Sequence, residues 1–170
     1  GGMNQIEWRA NRAGQLIAFE NSKALSDFEN PEAQAQAWVR SLAVEDWMKV
    51  AVIVGCGSGY QIEAFQKKYP QIQLYVVESR PALIGFFTKK FRDVVFVYVE
   101  NLEKMKNLDF LKDLMLATTE KFIFRAGLGL QTEVLEEAYW FLNLRTYEAL
   151  SYHLNRQIKG DPKVLIGMKQ

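Results

Sequence analysis

The fold of this chain is decided by the stretch Val50-Ala51-Val52-Ile53-Val54-Gly55-Cys56-Gly57-Ser58-Gly59. Its first five residues are all apolar, which predicts a strand buried on both faces, as in a parallel sheet. The closely spaced glycines that follow let the backbone turn sharply and approach a ligand where side chains would collide. A helix predicted to begin at Tyr60 would point its free N–H groups toward that ligand. The alternative is a tight strand-to-helix turn that holds no ligand.

Three further apolar runs predict three more strands, and the gaps between the four strands are long enough for crossover helices. These strands are expected at 72–77, 94–99 and 122–124. Pro81 and Asn101 mark the starts of two of the crossover helices, as a first-turn proline and a capping residue. Right-handed crossovers then predict the strand order third, second, first, fourth. A long amphipathic helix over 132–157 and a short strand at 164–166 are expected to follow.

Residues 49–170 are therefore predicted to form a three-layer, Rossmann-like α/β unit with a mostly parallel sheet. Residues 1–48 are expected to form a helical cap on it, giving one compact domain overall. The clearest cap helix is expected to begin after Asn30, with Pro31 in its first turn. In a competing interpretation the N-terminal residues dock a second subunit as a homodimer, with Trp8 as an interface anchor. Gly1-Gly2 resembles a remnant of an expression tag.

Composition narrows the classes of partner and compartment. The formal net charge is +1, and 24% of the residues are charged, which gives no electrostatic reason to expect nucleic acid or a membrane surface as partner. Cys56 is the single cysteine, so an internal disulfide is excluded and a reducing, cytoplasmic setting is expected. With one histidine, His153, and no cysteine pair, the sequence predicts no metal site, and it identifies no catalytic residue.

Polar residues at the predicted strand ends complete the candidate site. Glu78 ends the second strand, and its carboxylate can accept hydrogen bonds from both ribose hydroxyls of a nucleoside at the glycine turn. Glu100 and Asn101 follow the third strand, where they would face an adenine, although Asn101 can equally be only a helix cap. After the fourth strand come Arg125, an anion contact or a surface ion pair, and the turn Gly127-Leu128-Gly129.

Residues 52–60, Val-Ile-Val-Gly-Cys-Gly-Ser-Gly-Tyr, resemble the first motif of class I methyltransferases. The resemblance implies a nucleoside ligand, S-adenosylmethionine (SAM), as cofactor, bound by the turn 55–60 and by Glu78, Ser79, Glu100 and Asn101. It leaves open whether methyl transfer follows. Two features depart from the family pattern. Ile53 stands where an acid is usual, and the roughly 45 residues after the fourth strand are too few for the three strands that normally complete the sheet.

A second resemblance covers more of the chain. Residues 30–34, the helix around Trp38, residues 52–62 and residues 76–81 are similar to the N-terminal Rossmann-like domain of the motility accessory factor (Maf) family. Proteins of that family are associated with glycosylation of flagellin, and their larger central domain has no counterpart in this sequence. This resemblance implies a non-catalytic accessory or interaction domain, either detached or cut from a longer protein.

Overall fold

The centre of the molecule is a four-stranded parallel sheet with the order β6-β5-β4-β7. The structure is a computed structural model and describes residues 5–106, 111–116 and 118–143. The predicted strand order is confirmed, and each of the four strands predicted between residues 50 and 124 is present within a few residues of its expected position. The four strands are β4 (Val50–Val54), β5 (Gln73–Glu78), β6 (Val95–Tyr98) and β7 (Glu120–Ile123).

Helices cover both faces of this sheet, which makes the protein an α/β structure compatible with a Rossmann-like fold. On one face, Ile53, Ile62 and Phe87 belong to a single buried cluster. On the other face, Val52 and Val54 pack with Leu135 and Phe141. The first face carries α1 (Pro31–Arg40), α2 (Tyr60–Lys68) and α3 (Pro81–Lys90), and the second carries α4 (Leu102–Met105), α5 (Leu111–Leu114) and α6 (Thr132–Leu142).

The predicted helix starts are confirmed where a capping side chain sets them. Asn30 Oδ1 accepts a hydrogen bond from the Ala33 N–H at 3.2 Å, and Asn101 Oδ1 accepts one from the Lys104 N–H at 3.0 Å. The later part of the predicted helix 132–157, the predicted strand 164–166 and His153 lie outside the described residues. None of the helices within the described residues is long and apolar enough to cross a membrane.

The helical cap predicted for residues 1–48 is wrong for its first half. These residues instead form an antiparallel sheet, with the order β1-β2-β3. Its strands are β1 (Ile6–Ala10), β2 (Leu16–Glu20) and β3 (Lys23–Ala24). We call β1–β3 and the segment up to Phe28 the N-terminal hairpin.

The reason for the error lies in the turns. Asn11 Oδ1 accepts hydrogen bonds from the N–H groups of Ala13 and Gln15, and Gly14 has φ +79°, which closes the β1–β2 turn. The second turn places Asn21 and Ser22 at positive φ. The lack of a helical period among the apolar residues was therefore a strand signal.

The N-terminal hairpin shares the hydrophobic core of the main sheet. Ala18 and Leu25 are fully buried and belong to the same cluster as Ile53 and Cys56. Leu25 lies directly after β3, beside the glycine turn that follows β4. The hairpin therefore sits over the carboxyl end of the sheet, where ligands bind in open α/β folds.

Candidate functional site

The glycine turn adopts the conformation that its sequence predicts. Gly55, Gly57 and Gly59 all have positive φ, at +99°, +53° and +91°. Residues other than glycine rarely adopt these φ angles, because their Cβ atoms collide with the neighbouring backbone. The turn thus joins β4 to α2 at the carboxyl end of the sheet, as expected for a ligand-binding loop.

The space beside the glycines is filled by the protein itself. A carbon atom added to Gly57 would lie 2.9 Å from the Leu25 carbonyl oxygen and 2.9 Å from the Phe124 ring. A carbon added to Gly59 would lie 2.5 Å from the ring of Phe87. Gly127, in the predicted turn after the fourth strand, packs directly against the backbone of Gly57. The glycines therefore permit close packing of the N-terminal hairpin, α3 and the loop after β7.

Glu78 lies where the sequence analysis expects it, at the end of β5, but its side chain is fully buried. Oε1 accepts a hydrogen bond from the Cys56 N–H at 2.9 Å. Oε2 accepts one from the Ser79 N–H at 2.7 Å and one from the Arg80 N–H at 3.0 Å. Both carboxylate oxygens are thus committed to the protein, and the oxygens that a ribose would need are already used.

Arg80 fills the crevice beside Glu78. Its guanidinium lies between two buried carboxylates, with Nη1 3.2 Å from Glu78 Oε1 and Nε 3.2 Å from Glu20 Oε2. Nη2 donates to the carbonyl oxygens of Gly127, at 3.0 Å, and Leu128. A single side chain therefore connects the N-terminal hairpin, the end of β5 and the loop after β7. We call Glu20, Glu78 and Arg80 the buried ion triad.

Glu20, which the sequence analysis did not single out, is fully buried and holds the loop after β7. Its Oε1 accepts a hydrogen bond from the Leu130 N–H at 2.8 Å, and its Oε2 accepts one from Gln131 Nε2 at 3.1 Å. A carboxylate that ends the apolar run 16–19 was a signal for such a partner, because isolated charges are almost never buried.

Ser58 and Tyr60 fasten the N-terminal hairpin to the glycine turn. The buried Ser58 Oγ accepts hydrogen bonds from the Ala18 N–H at 2.9 Å and from Ser26 Oγ at 2.7 Å. Tyr60 Oη donates to the Leu16 carbonyl oxygen at 2.9 Å. Both residues, which were predicted to contact a cofactor, contact the hairpin in this structure.

Cys56 is fully buried between the glycines, and its side chain belongs to the hydrophobic core. Burial raises the pKa of this thiol well above its ordinary value. The negative charge of Glu78 raises that pKa further, and Arg80 opposes it. A thiol in this setting packs as a small apolar group rather than reacting as a nucleophile.

Gln61 was missed by the sequence analysis. Its side chain is fully buried, and Nε2 donates to the carbonyl oxygens of Gly55 at 3.0 Å and Cys56 at 2.5 Å. These bonds fix the first half of the glycine turn from α2. A polar residue on the inward face of an amphipathic helix, beside Ile62, was the available signal.

The remaining predicted site residues line a different, shallow cleft. Glu100 and Asn101 border an open cleft of about 290 Å³ together with Gln131 and Glu133, and no glycine-turn residue lines it. Ser79 Oγ lies 3.3 Å from Gln131 Oε1, at the border between the two regions. Glu100 forms an ion pair with Lys104, and Asn101 caps α4. The glycine turn with which Glu100 and Asn101 were grouped thus does not line the cleft that these two residues border.

Arg125 forms the surface ion pair that was one of its two expected roles, with Glu136 on α6. Within the described residues, no cluster of three or more histidine, cysteine, aspartate or glutamate side chains could hold a metal ion. A comparison of the sequence with protein-family models and with curated proteins gives no significant match.

Proposed function

We propose that this chain is a non-catalytic, protein-binding module on a Rossmann-like scaffold, in which the N-terminal hairpin occupies the ligand side of the sheet. One observation carries the proposal. The carboxylate of Glu78 is fully buried and accepts hydrogen bonds from three backbone N–H groups as well as from Arg80. A nucleoside would have to displace these backbone donors and break the ion pair between Glu78 and Arg80, at a cost of several kcal/mol.

The contacts around Ser58 support the same conclusion from the other side of the turn. The hairpin contributes a backbone N–H, a serine hydroxyl and the Leu25 carbonyl to the turn, which are the kinds of group that a bound ligand would supply. The glycine turn therefore acts as an internal docking point for β2 and for the segment after β3. In this proposal it contributes stability rather than catalysis.

The resemblance to the N-terminal domain of the Maf family supports an accessory role. An accessory domain acts by contacting other protein surfaces, which requires a stable scaffold and no bound cofactor. Binding of SAM, the role implied by the methyltransferase resemblance, stays a prediction, and it requires the N-terminal hairpin to move away from Ser58.

Titration calorimetry with SAM and with S-adenosylhomocysteine tests the proposal. We expect no binding heat from the wild-type protein and no rise in its unfolding temperature. A ligand that did bind would stabilise the fold by about 2.7 kcal/mol at one hundred times its Kd. A Ser58→Ala variant, which loosens the hairpin, is the matched comparison. Micromolar binding that the wild-type protein shows and Glu78→Gln loses would overturn the proposal. Binding that appears only in Ser58→Ala would identify the hairpin as a gate and would also overturn it.

A further inference from the structure

The outer edge of β6 is unpaired within the part of the chain that the structure describes. The Val99 N–H donates to the Glu78 carbonyl oxygen on β5. Since the backbone N–H and C=O groups of successive strand residues point to opposite sides, those of Val97 also face β5, and those of Phe96 and Tyr98 face outward. Among the described residues, no strand pairs with this edge. Two N–H groups and two carbonyl groups therefore point away from the sheet in a row.

This edge lacks the protection that the opposite edge has. On β7 the strand carries Glu120 and Lys121, and the Ile123 carbonyl oxygen accepts a hydrogen bond from Trp38 Nε1 at 3.1 Å. In contrast, β6 has the sequence Val-Phe-Val-Tyr, without a charge or a proline. Val95 is 38% exposed and Tyr98 is 46% exposed. Exposed apolar edge strands without charges pair readily with another strand.

We propose that β6 pairs antiparallel with β6 of a second copy of this chain, around a two-fold axis at Val97, so that the two sheets form one continuous sheet of eight strands. The inference deepens the proposed role in protein binding and rests on it. In this register Phe96 lies opposite Tyr98 of the second copy. All four outward backbone groups of each copy then form hydrogen bonds, because residues 96 and 98 exchange both of their N–H···O bonds.

The side chains along the edge fit this register. Phe96 and Tyr98 lie on the same face of the strand, because residues two apart share a face. Phe96 stacks on Phe87 at 6.4 Å, and Phe87 contacts the exposed Phe86 at 5.2 Å. Tyr98 of the second copy would extend this aromatic cluster by a cross-strand pair with Phe96.

The charges that flank β6 are also self-complementary. Two-fold pairing around Val97 places Val94 opposite Glu100 of the second copy. Arg92 lies in the turn just before Val94, at the same end of the interface as that carboxylate. Both Arg92 and Glu100 are exposed. The symmetry repeats the pair at the other end of the interface. This complementarity favours a second copy over an unrelated strand, since one sequence supplies both halves of every contact.

Sedimentation velocity across protein concentrations from about 1 µM to 1 mM tests the proposal. We expect a monomer–dimer equilibrium whose Kd rises at least tenfold in Tyr98→Lys. The matched control is Trp47→Lys, which places the same charge on a side chain that is 55% exposed and is not on β6. Its Kd should change less than twofold. A dimer that Trp47→Lys dissociates and Tyr98→Lys leaves intact would overturn the proposal.

A charge exchange tests the register. Arg92→Glu and Glu100→Arg should each weaken the dimer about tenfold, because each creates two like-charge pairs. The double variant Arg92→Glu/Glu100→Arg should return to within about threefold of the wild-type Kd, because its pairs are again of opposite charge. A double variant as weak as the two single variants would contradict this register.

Residue-resolved hydrogen exchange gives a readout on the wild-type protein that needs no charge substitution. The amides of Phe96 and Tyr98 should gain protection as the protein concentration rises, and the Val97 amide should be protected throughout. A protein that stays monomeric at about 1 mM, with both outward amides unprotected, would overturn pairing with a second copy and leave the edge to a strand of a different protein. The calorimetric test with SAM is independent of these results, so failure of the dimer and failure of the proposed function are distinguishable.

Discussion

Arg80 and Glu78 form an ion pair in the interior of the protein, with Nη1 3.2 Å from Oε1 and both side chains less than 5% exposed. The two residues are near neighbours in sequence, at the end of β5 and the start of α3. Glu20, from the N-terminal hairpin, completes the buried ion triad. Ligands bind in the crevice at this end of the sheet in open α/β folds, and here the ion pair fills that crevice.

Replacing Arg80 by methionine should destabilise the fold strongly. The change leaves two buried carboxylates without a cation, which costs about 3–5 kcal/mol. Urea unfolding at pH 7 measures the free energy of unfolding. The control is Arg125→Met, which removes the surface ion pair with Glu136 and should cost at most about 1 kcal/mol. Equal losses in the two variants would contradict the structural role that we assign to Arg80.

Adding one carbon to the glycine turn should also destabilise the fold. Gly57→Ala combines positive φ with contacts of 2.9 Å to the Leu25 carbonyl oxygen and to the Phe124 ring. We expect a loss of about 2–5 kcal/mol of unfolding free energy, the sum of the backbone and overpacking costs. Gly14→Ala also has positive φ but meets nothing within 4 Å, so it should lose only the backbone part, about 1–2 kcal/mol. If the two losses were the same, the turn would not be tightly packed.

The main sheet could be predicted from sequence because its signals are local. Continuous apolar runs, Asn101 as a cap and Pro81 in a first turn each mark an element within a few residues, and the handedness of crossovers orders the strands. The N-terminal sheet was missed because β1, Ile-Glu-Trp-Arg-Ala, is not a continuous apolar run, and because its two turns depend on Asn11 and Asn21 rather than on a glycine pair.

The position of the candidate site was predicted from the sequence, but the side chains that surround Glu78 were not. Glu78 lies beside the glycine turn, as expected, because parallel strands end at the same edge of the sheet. Its partner Arg80 stands beside it in the sequence, and Glu20 lies on a different element. A contact of either kind, with a near neighbour or with a residue 60 positions away, leaves no periodic pattern in the sequence. An open crevice and a filled one therefore look the same until the fold is known.

Cys56 should be unreactive in the folded protein. The thiolate is the reactive form, and burial raises the pKa of this thiol, with a further rise from Glu78. At pH 8 a disulfide reagent such as Ellman's reagent should label the native protein only on the timescale of its unfolding. In guanidinium chloride the same thiol should react within seconds to minutes. Rapid labelling of the native protein would show that the glycine turn opens to solvent.

The stability of the fold should rise with pH as Lys121 loses its charge. Burial lowers the pKa of Lys121 from 10.5 to about 8, and its Nζ donates to the Leu116 carbonyl oxygen at 2.7 Å. Between these two pKa values the unfolded chain keeps the proton that the folded chain gives up, so stability increases as pH rises through that window. The raised pKa values of Cys56 and Tyr60 act in the opposite direction at high pH.

The contribution of Lys121 is isolated by comparing the wild-type protein with Lys121→Met at each pH from 7 to 10. The variant should be the more stable of the two at pH 7, and its advantage should shrink as the pH rises. A constant difference would mean that Lys121 is solvated and titrates normally.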